Sequence, residues 1–136
     1  YKGAIDDYDR ALEINPIDFN TFGRRGWAKF RLLDYGGAIA DFTNALRGVS
    51  DDVQYYDIRG QAKYQIRDFK GAIADFDKVI NSFSTGKYQK SKALYWRGMI
   101  KIEMGQNASG CDDLKKASES GLEQAYLLMQ VYCIER

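Results

Sequence analysis

The spacing of apolar residues along the chain predicts a succession of amphipathic helices. Within residues 4–12 apolar side chains recur every three or four positions with charged residues between them, which is the pattern of one helical face. Asn15 and Pro16 end this first helix, because the residue before a proline is pushed out of helical geometry. Asp18 and Asp34 are predicted N-caps of the next two helices. The pattern continues to the end, so we predict an all-α fold with about seven helices, paired antiparallel by short loops.

A nine-residue segment recurs at a nearly fixed distance along this helical pattern. Residues 34–42 read DYGGAIADF, and residues 68–76 read DFKGAIADF. The equivalent small residues in four successive copies are Ala4, Ala38, Ala72 and Gly110, separated by 34, 34 and 38 residues. A constant period in this range is typical of a repeat array. Because one helix pair cannot bury its apolar face alone, neighbouring pairs are expected to stack.

The repeat divides the chain into a single array over residues 1–136. The predicted divisions are 1–18 (second helix of a truncated repeat), 19–52 (repeat), 53–86 (repeat, with an inserted loop to about residue 90), 91–121 (degenerate repeat) and 122–136 (C-terminal capping helix). The insertion from Ser82 to about Lys90 predicts either a projecting loop or a backward extension of the next helix. Since the chain begins inside a repeat, we expect it to be a fragment of a longer protein.

Glycines and aromatic residues also recur in register. The glycines are Gly26, Gly60 and Gly98, and the aromatic residues are Tyr8, Phe42 and Phe76. These residues resemble the tetratricopeptide repeat, a 34-residue helix-turn-helix with small residues where its two helices cross. The C-terminal pattern, with Cys111 and Cys133, resembles the ends of bacterial members. The resemblance implies a right-handed α-solenoid of antiparallel helix pairs.

Arginines and aspartates recur at two further places. The arginines are Arg25, Arg59 and Arg97, and the aspartates are Asp7, Asp41, Asp75 and Asp113. The arginines could grip an acidic ligand, or Arg–Asp pairs could fix the register of the repeats. The second interpretation is favoured, because we expect these arginines to be partly buried, and a buried guanidinium needs a carboxylate partner.

In the tetratricopeptide family the first helix of each pair lines a concave binding surface. Carried over to this chain, the implied peptide- or protein-binding residues are Asn20, Arg24, Trp27, Arg31, Gln54, Asp57, Gln61, Tyr64, Lys92, Tyr95, Met99 and Glu103. Four further residues at such places could equally well pack between helices, namely Phe30, Ile58, Trp96 and Ile102. The lysine-and-asparagine clamp by which some members hold acidic chaperone tails is not present, since Gly23 and Trp27, then Asp57 and Gln61, occupy its places.

Composition argues against several classes of function. The chain has no histidine, the commonest general base and metal ligand, and its two cysteines cannot form a structural zinc site. We therefore predict no catalytic residue, no metal site, no cofactor and no enzymatic activity. With 20 basic and 19 acidic residues the net charge is +1, which counts against nucleic acid as a partner. No apolar run approaches the ~18 residues of a membrane span, so membrane insertion is not expected.

Cys111 and Cys133 form a candidate disulfide. The final helix should pack back on the helix that carries Cys111, so the two thiols could meet, and a disulfide would indicate an oxidising compartment such as a periplasm. Alternatively, both are small half-buried thiols in a reducing cytoplasm. The localisation, cytoplasmic or periplasmic, stays open at this point.

Two functions follow from these observations. The favoured one is a non-catalytic protein–protein interaction scaffold that binds a peptide or protein segment in its concave groove. The alternative is a structural module that self-associates, as a homodimer for example, through its C-terminal helix. Residues 122–134 carry more apolar side chains than one neighbouring helix could cover, and exposed apolar area often marks association.

Overall fold

The computed structural model describes residues 1–134, and within that range it contains eight helices and no strand. The helices are α1 (Lys2–Ile14), α2 (Phe19–Arg31), α3 (Tyr35–Gly48), α4 (Val53–Gln65), α5 (Phe69–Asn81), α6 (Lys87–Glu103), α7 (Asn107–Glu119) and α8 (Glu123–Tyr132). The all-α prediction is confirmed. The predicted count of about seven was one short, although the predicted divisions already contained eight helices, with a capping helix after residue 121. The turn at Gly121 (φ 93°) separates that helix, α8, from α7. None of the helices within residues 1–134 has the length and apolarity needed to cross a membrane.

Aspartate side chains cap the beginnings of three helices. Asp18 accepts hydrogen bonds from the Thr21 amide (3.3 Å) and hydroxyl (2.8 Å), and these bonds lower the pKa of its carboxyl group. Asp34 accepts one from the amide of Gly37 (3.0 Å). Both caps agree with the sequence-based prediction. Asp52 caps α4 in the same way, although the sequence analysis did not predict this cap.

Tight turns join α2 to α3 and α6 to α7. Leu33 (φ 65°) and Gly105 (φ 82°) adopt the left-handed conformation at equivalent places. The amide of Asp34 then donates to the carbonyl of Lys29 (2.9 Å), and the same bond recurs in the second turn. Glycine suits this conformation, whereas leucine adopts it at a cost of about 1 kcal/mol.

The helices divide into two compact units, of which unit 1 comprises residues 1–68. Its helices α1–α4 pack in chain order, each against the next. The core contains Ala38, Phe42 and Ile58, with Phe30 and Tyr55 packed against them. Because α2 carries a glycine at position 26, α3 can approach it closely, and the ring of Phe42 lies against Gly26.

Unit 2 begins at Phe69 and contains α5–α8. Its core contains Leu114, Ala117, Leu122 and Ala125, which brings α7 and α8 together. The α6 helix begins at Lys87, one turn earlier than predicted. The insertion is therefore partly a backward helix extension and partly a short connection over residues 82–86.

Candidate functional site

Four of the predicted binding residues lie on one exposed side of α2. Asn20, Arg24, Trp27 and Arg31 are three or four positions apart and are all exposed. Trp27 retains 46% of its accessible surface. Its ring stacks on Phe30 with a centroid distance of 5.9 Å, and the Arg31 guanidinium lies 5.3 Å above it. Trp27 is thus a large exposed aromatic whose orientation is already held by its neighbours.

A second set of predicted residues lies on α4, whose Tyr55 contacts Gly23 of α2. Gln54 is exposed, while Asp57, Gln61 and Tyr64 are half-buried. The Gln61 amide donates to the Asp57 carboxylate at 3.4 Å. We name the eight residues on the two helices the α2–α4 surface: Asn20, Arg24, Trp27, Arg31, Gln54, Asp57, Gln61 and Tyr64.

Tyr55 joins the two helices beneath the α2–α4 surface. Its ring covers Gly23 so closely that a Cβ there would collide with it. Burial is the main cause of a raised pKa for the Tyr55 hydroxyl, with Asp52 adding to the shift and Arg24 opposing it. The contact therefore buries Gly23 and brings Arg24 close to α4. Position 23 is not available to a ligand.

The predicted residues of α6 are less exposed than those of α2 and match those of α4, since Glu103 is exposed and the other three are half-buried. Lys92 is half-buried, with its Nζ 5.7 Å from the centroid of the Tyr88 ring. Tyr95 packs against the unit 2 core. Met99 and Glu103 line a cleft of about 250 Å³ whose other walls are Ile102, Leu128 and Tyr132. The α8 helix thus covers part of the α6 surface that the resemblance assigned to ligand.

Four residues were open to two interpretations, and the structure uses them in packing. Ile58 is buried in the unit 1 core, and Phe30 packs against it. Trp96 stacks on Phe76 with a centroid distance of 5.9 Å, and Ile102 packs on the unit 2 core. Packing between helices is therefore the confirmed interpretation for these four.

Arg25 is held by two aspartates in unit 1. Its Nε and Nη2 donate to the two carboxylate oxygens of Asp41 at 2.9 and 2.8 Å. Its Nη1 donates to Asp9 of α1 at 2.9 Å, and Lys29 also reaches Asp41 at 3.2 Å. The arginine therefore joins α2 both to α3 and to the preceding α1.

The same arrangement recurs in unit 2. Arg97 donates to both oxygens of Asp113 (2.8 and 2.7 Å) and to Asp77 (2.8 Å), while Lys101 reaches Asp113 at 2.9 Å. Burial raises the pKa of the Asp113 carboxyl group, but the bonds from Arg97 and Lys101 outweigh it, so the net pKa is lowered. The predicted Arg–Asp pairing is therefore confirmed for these two arginines, and the role of the pairs in fixing the register of the repeats stays a prediction.

Sequence reasoning missed two parts of these clusters. Lys29 and Lys101 each stand twelve residues before the buried aspartate, a recurrence that could have revealed the second cation. The second carboxylates, Asp9 and Asp77, lie at equivalent places on the helices that precede those of Arg25 and Arg97. The residue at this place before Arg59 is Thr43. There the Arg59 guanidinium donates to the Thr43 hydroxyl at 3.1 Å.

The end of α8 is attached to α7. Cys111 and Cys133 are joined as a disulfide with their Cα atoms 5.7 Å apart. Several apolar side chains of α8 and of the residues that follow it are exposed. They are Tyr126, Leu127, Val131, Tyr132 and Ile134. The predicted excess of apolar residues at this end is therefore an exposed surface.

Comparison with known proteins finds similarity only in fold. No protein-family model matches the chain, and no curated protein matches it. A crystal structure of MamA aligns with a TM-score of 0.82 at 20% identity, over 92% of this chain and 72% of that one. The chain is similar in fold to MamA.

Two further structures agree with this similarity. A second crystal structure of MamA protein aligns with a TM-score of 0.82 at 21% identity, over 92% of this chain and 67% of that one. MamA from Desulfovibrio magneticus RS-1, from residue 41 to its end, aligns with a TM-score of 0.79 at 17% identity, over 88% and 66%. The MamA likeness supports a helical-repeat fold. Membership of the tetratricopeptide family and the handedness of the solenoid stay predictions.

Proposed function

We propose that the chain is a non-catalytic protein–protein interaction scaffold that binds a peptide or protein segment along a concave groove. In unit 1 the binding residues are those of the α2–α4 surface. In unit 2 they are Lys92, Tyr95, Met99 and Glu103 of α6. Each set is proposed within its own unit, and no residue is assigned a catalytic role.

The observation that carries this proposal is the exposure of Trp27 in a fixed orientation. Trp27 stacks on Phe30, which itself packs on the buried core. Because the indole is already held in place, little side-chain entropy is lost when a ligand binds to it. Tryptophans in such positions contribute about 2 kcal/mol or more to binding when they are central to an interface.

Charge around Trp27 indicates the chemistry of the ligand. Arg24 and Arg31 lie one helical turn before and after Trp27, and all three are exposed. An extended segment with an apolar side chain for the indole and an acidic residue beside it would satisfy both groups. Gln54 and Gln61 can pair with the main chain of such a segment.

The test is a peptide selected from a displayed random library against the immobilised wild-type protein. Its affinity is then measured by calorimetry for wild type, Trp27→Ala and Phe83→Ala, each checked for folding by circular dichroism. Phe83 is a matched control, since it is a fully exposed aromatic that is not one of the proposed binding residues. We expect Trp27→Ala to weaken binding about 30-fold and Phe83→Ala to leave it unchanged. Equal affinities for all three proteins would exclude Trp27 as an anchor.

A second function is favoured by the exposed apolar side chains of α8. Leu127 and Val131 lie one turn apart on that helix and are both more than half exposed. Self-association through them would bury this surface. Sedimentation across a range of concentrations should then show a dimer in the wild type and a monomer in Leu127→Glu/Val131→Glu. A wild type that stays monomeric at all concentrations would eliminate this function.

A further inference from the structure

The disulfide between Cys111 and Cys133 fastens α8 to α7 within unit 2. It joins a residue in the first half of α7 to the residue that follows α8, 22 positions further along the chain. Both cysteines are half-buried, so a small reductant in solution can reach the bond. Exposed disulfides are reduced more readily than those enclosed in a core. The bond is therefore open to reduction in the folded protein.

Few side chains of α8 are held by packing. Of its ten residues only Ala125 is buried, Leu128 and Met129 are half-buried, and the other seven are exposed. Leu122 at the N-cap adds one buried side chain but makes no side-chain cap. Isolated helices shorter than about 12 residues are marginal in water. The position of α8 therefore depends on this small contact and on the disulfide.

The disulfide opposes the detachment of α8 because it limits where the detached helix can go. While the bond is intact, the end of α8 stays beside α7 even when its packing opens. Breaking the bond gives the 22-residue segment between the cysteines more conformational freedom in the opened state. The entropy of closing a loop of this length corresponds to a factor of about 100 in favour of opening.

The α6 and α7 helices are joined by contacts in which α8 takes no part. Arg97 donates to both carboxylate oxygens of Asp113, and Lys101 reaches the same carboxylate. At the helix crossing, a Cβ on Gly98 or Gly110 would lie 2.8 or 2.7 Å from the carbonyl oxygen of the other. We therefore expect α6 and α7 to stay together when α8 detaches. Opening confined to one element is common in folded proteins.

The α8 helix covers part of the α6 surface to which we assign ligand binding. Leu128 and Tyr132 of α8 line one side of the cleft of about 250 Å³. The rest of its lining belongs to α6 and consists of Met99, Ile102 and Glu103. The two helices are also in direct contact. Detachment of α8 would remove one side of this cleft and leave an open surface on α6.

We propose that the Cys111–Cys133 disulfide is a redox switch whose reduction by a dithiol releases α8 and uncovers the binding residues of α6. One thiolate of the dithiol attacks a sulfur of the bond and forms a mixed disulfide, and its second thiolate then displaces the cysteine from it. The dithiol leaves as its own disulfide, and its two protons end on the Cys111 and Cys133 thiols. The effect on ligand binding rests on the proposed function, whereas the release of α8 does not.

Hydrogen exchange of the wild-type protein, followed by NMR with and without dithiothreitol, tests the release. We expect the amides of residues 126–133 to exchange about 100-fold faster after reduction, while those of α6 and α7 keep their protection. The Cys111→Ser/Cys133→Ser variant should match the reduced protein and should not respond to dithiothreitol. Unchanged exchange in α8 after complete reduction would overturn the proposal. Equal loss of protection in α6, α7 and α8 would also overturn it, since the bond would then hold unit 2 as a whole.

Peptide binding tests whether the release uncovers α6. A peptide is selected from a displayed random library on the Cys111→Ser/Cys133→Ser variant and is kept if Met99→Ala in that variant weakens its binding. Calorimetry should show at least about tenfold tighter binding to reduced than to oxidised wild type. Equal affinities would overturn the covering of α6 by α8. If no peptide depends on Met99, the proposed function fails at α6, and hydrogen exchange alone decides whether α8 is released.

Discussion

Alanine in place of Gly110 tests how closely α6 and α7 approach. A Cβ at position 110 would lie 2.7 Å from the carbonyl oxygen of Gly98 and 2.8 Å from Cγ1 of Ile102. The amide nitrogen of Ile102 would be 3.2 Å away. Two of these three atoms belong to the backbone, so no change of side-chain rotamer relieves the overlap. The two helices would have to move apart.

The size of the effect follows from two opposing terms. Alanine usually stabilises the interior of a helix relative to glycine by about 0.5–1 kcal/mol. Overpacking a close contact costs about 1–3 kcal/mol, and the upper end applies because Leu114 and Ala117 on α7 are fully buried. We therefore expect Gly110→Ala to lower the free energy of unfolding by about 2 kcal/mol.

Urea denaturation measures this difference, and Gly36→Ala is the matched control. Gly36 also lies in a helix, but a Cβ there would meet nothing within 4 Å. The control should be as stable as wild type or more stable by up to about 1 kcal/mol. If Gly110→Ala matched the stability of Gly36→Ala, the backbones of α6 and α7 would not be in near contact.

Four further predictions concern the stability of the two units. Asp113→Asn should lower the free energy of unfolding, measured in urea, by about 3 kcal/mol, because two cations lose a buried partner. Asp77→Asn changes a carboxylate that is 44% exposed and should cost no more than about 1 kcal/mol. Equal effects of the two substitutions would contradict the geometry. The lowered pKa of Asp113 means that its contribution is fully present above about pH 4 and is lost as the pH falls through its native pKa. Melting curves of wild type should therefore fall more steeply with acid than those of Asp113→Asn, and parallel curves would refute this. Leu33→Gly should raise stability by about 1 kcal/mol, since Leu33 is exposed at positive φ; a loss would show that the side chain matters. Cys111→Ser should lower the free energy of unfolding by about 2–4 kcal/mol under non-reducing conditions, and an unchanged value would show that the bond does not form.

Much of the fold was predictable from residues that recur. Asp18 and Asp34 cap helices through local hydrogen bonds, which sequence spacing encodes directly. The close crossing of α6 and α7 was implied by the family resemblance, because Gly98 and Gly110 each belong to a recurring set of small residues. Recurrence also predicted the Arg97–Asp113 pair, since an isolated charge at that depth would be costly.

The rest depended on contacts between distant parts of the chain. The sequence left open whether the insertion forms a loop or extends α6 backwards, because residues 87–90 carry no apolar periodicity of their own, and the structure begins α6 at Lys87. The packing of Tyr95 and Met99 beside α8 could not be predicted, since it depends on where the final helix lies. For this reason the four exposed residues of α2 carry more of the proposed binding than those of α6.

The most direct test of the binding proposal is to locate a selected peptide on the ¹⁵N-labelled protein by NMR. If the account is right, the amides that shift most on saturation lie in α2 and α4, around Arg24, Trp27 and Gln61. The Trp27 indole NH should shift with them. Shifts concentrated in α8 around Leu127 and Val131, with Trp27 unaffected, would contradict the account and assign binding to the C-terminal helix.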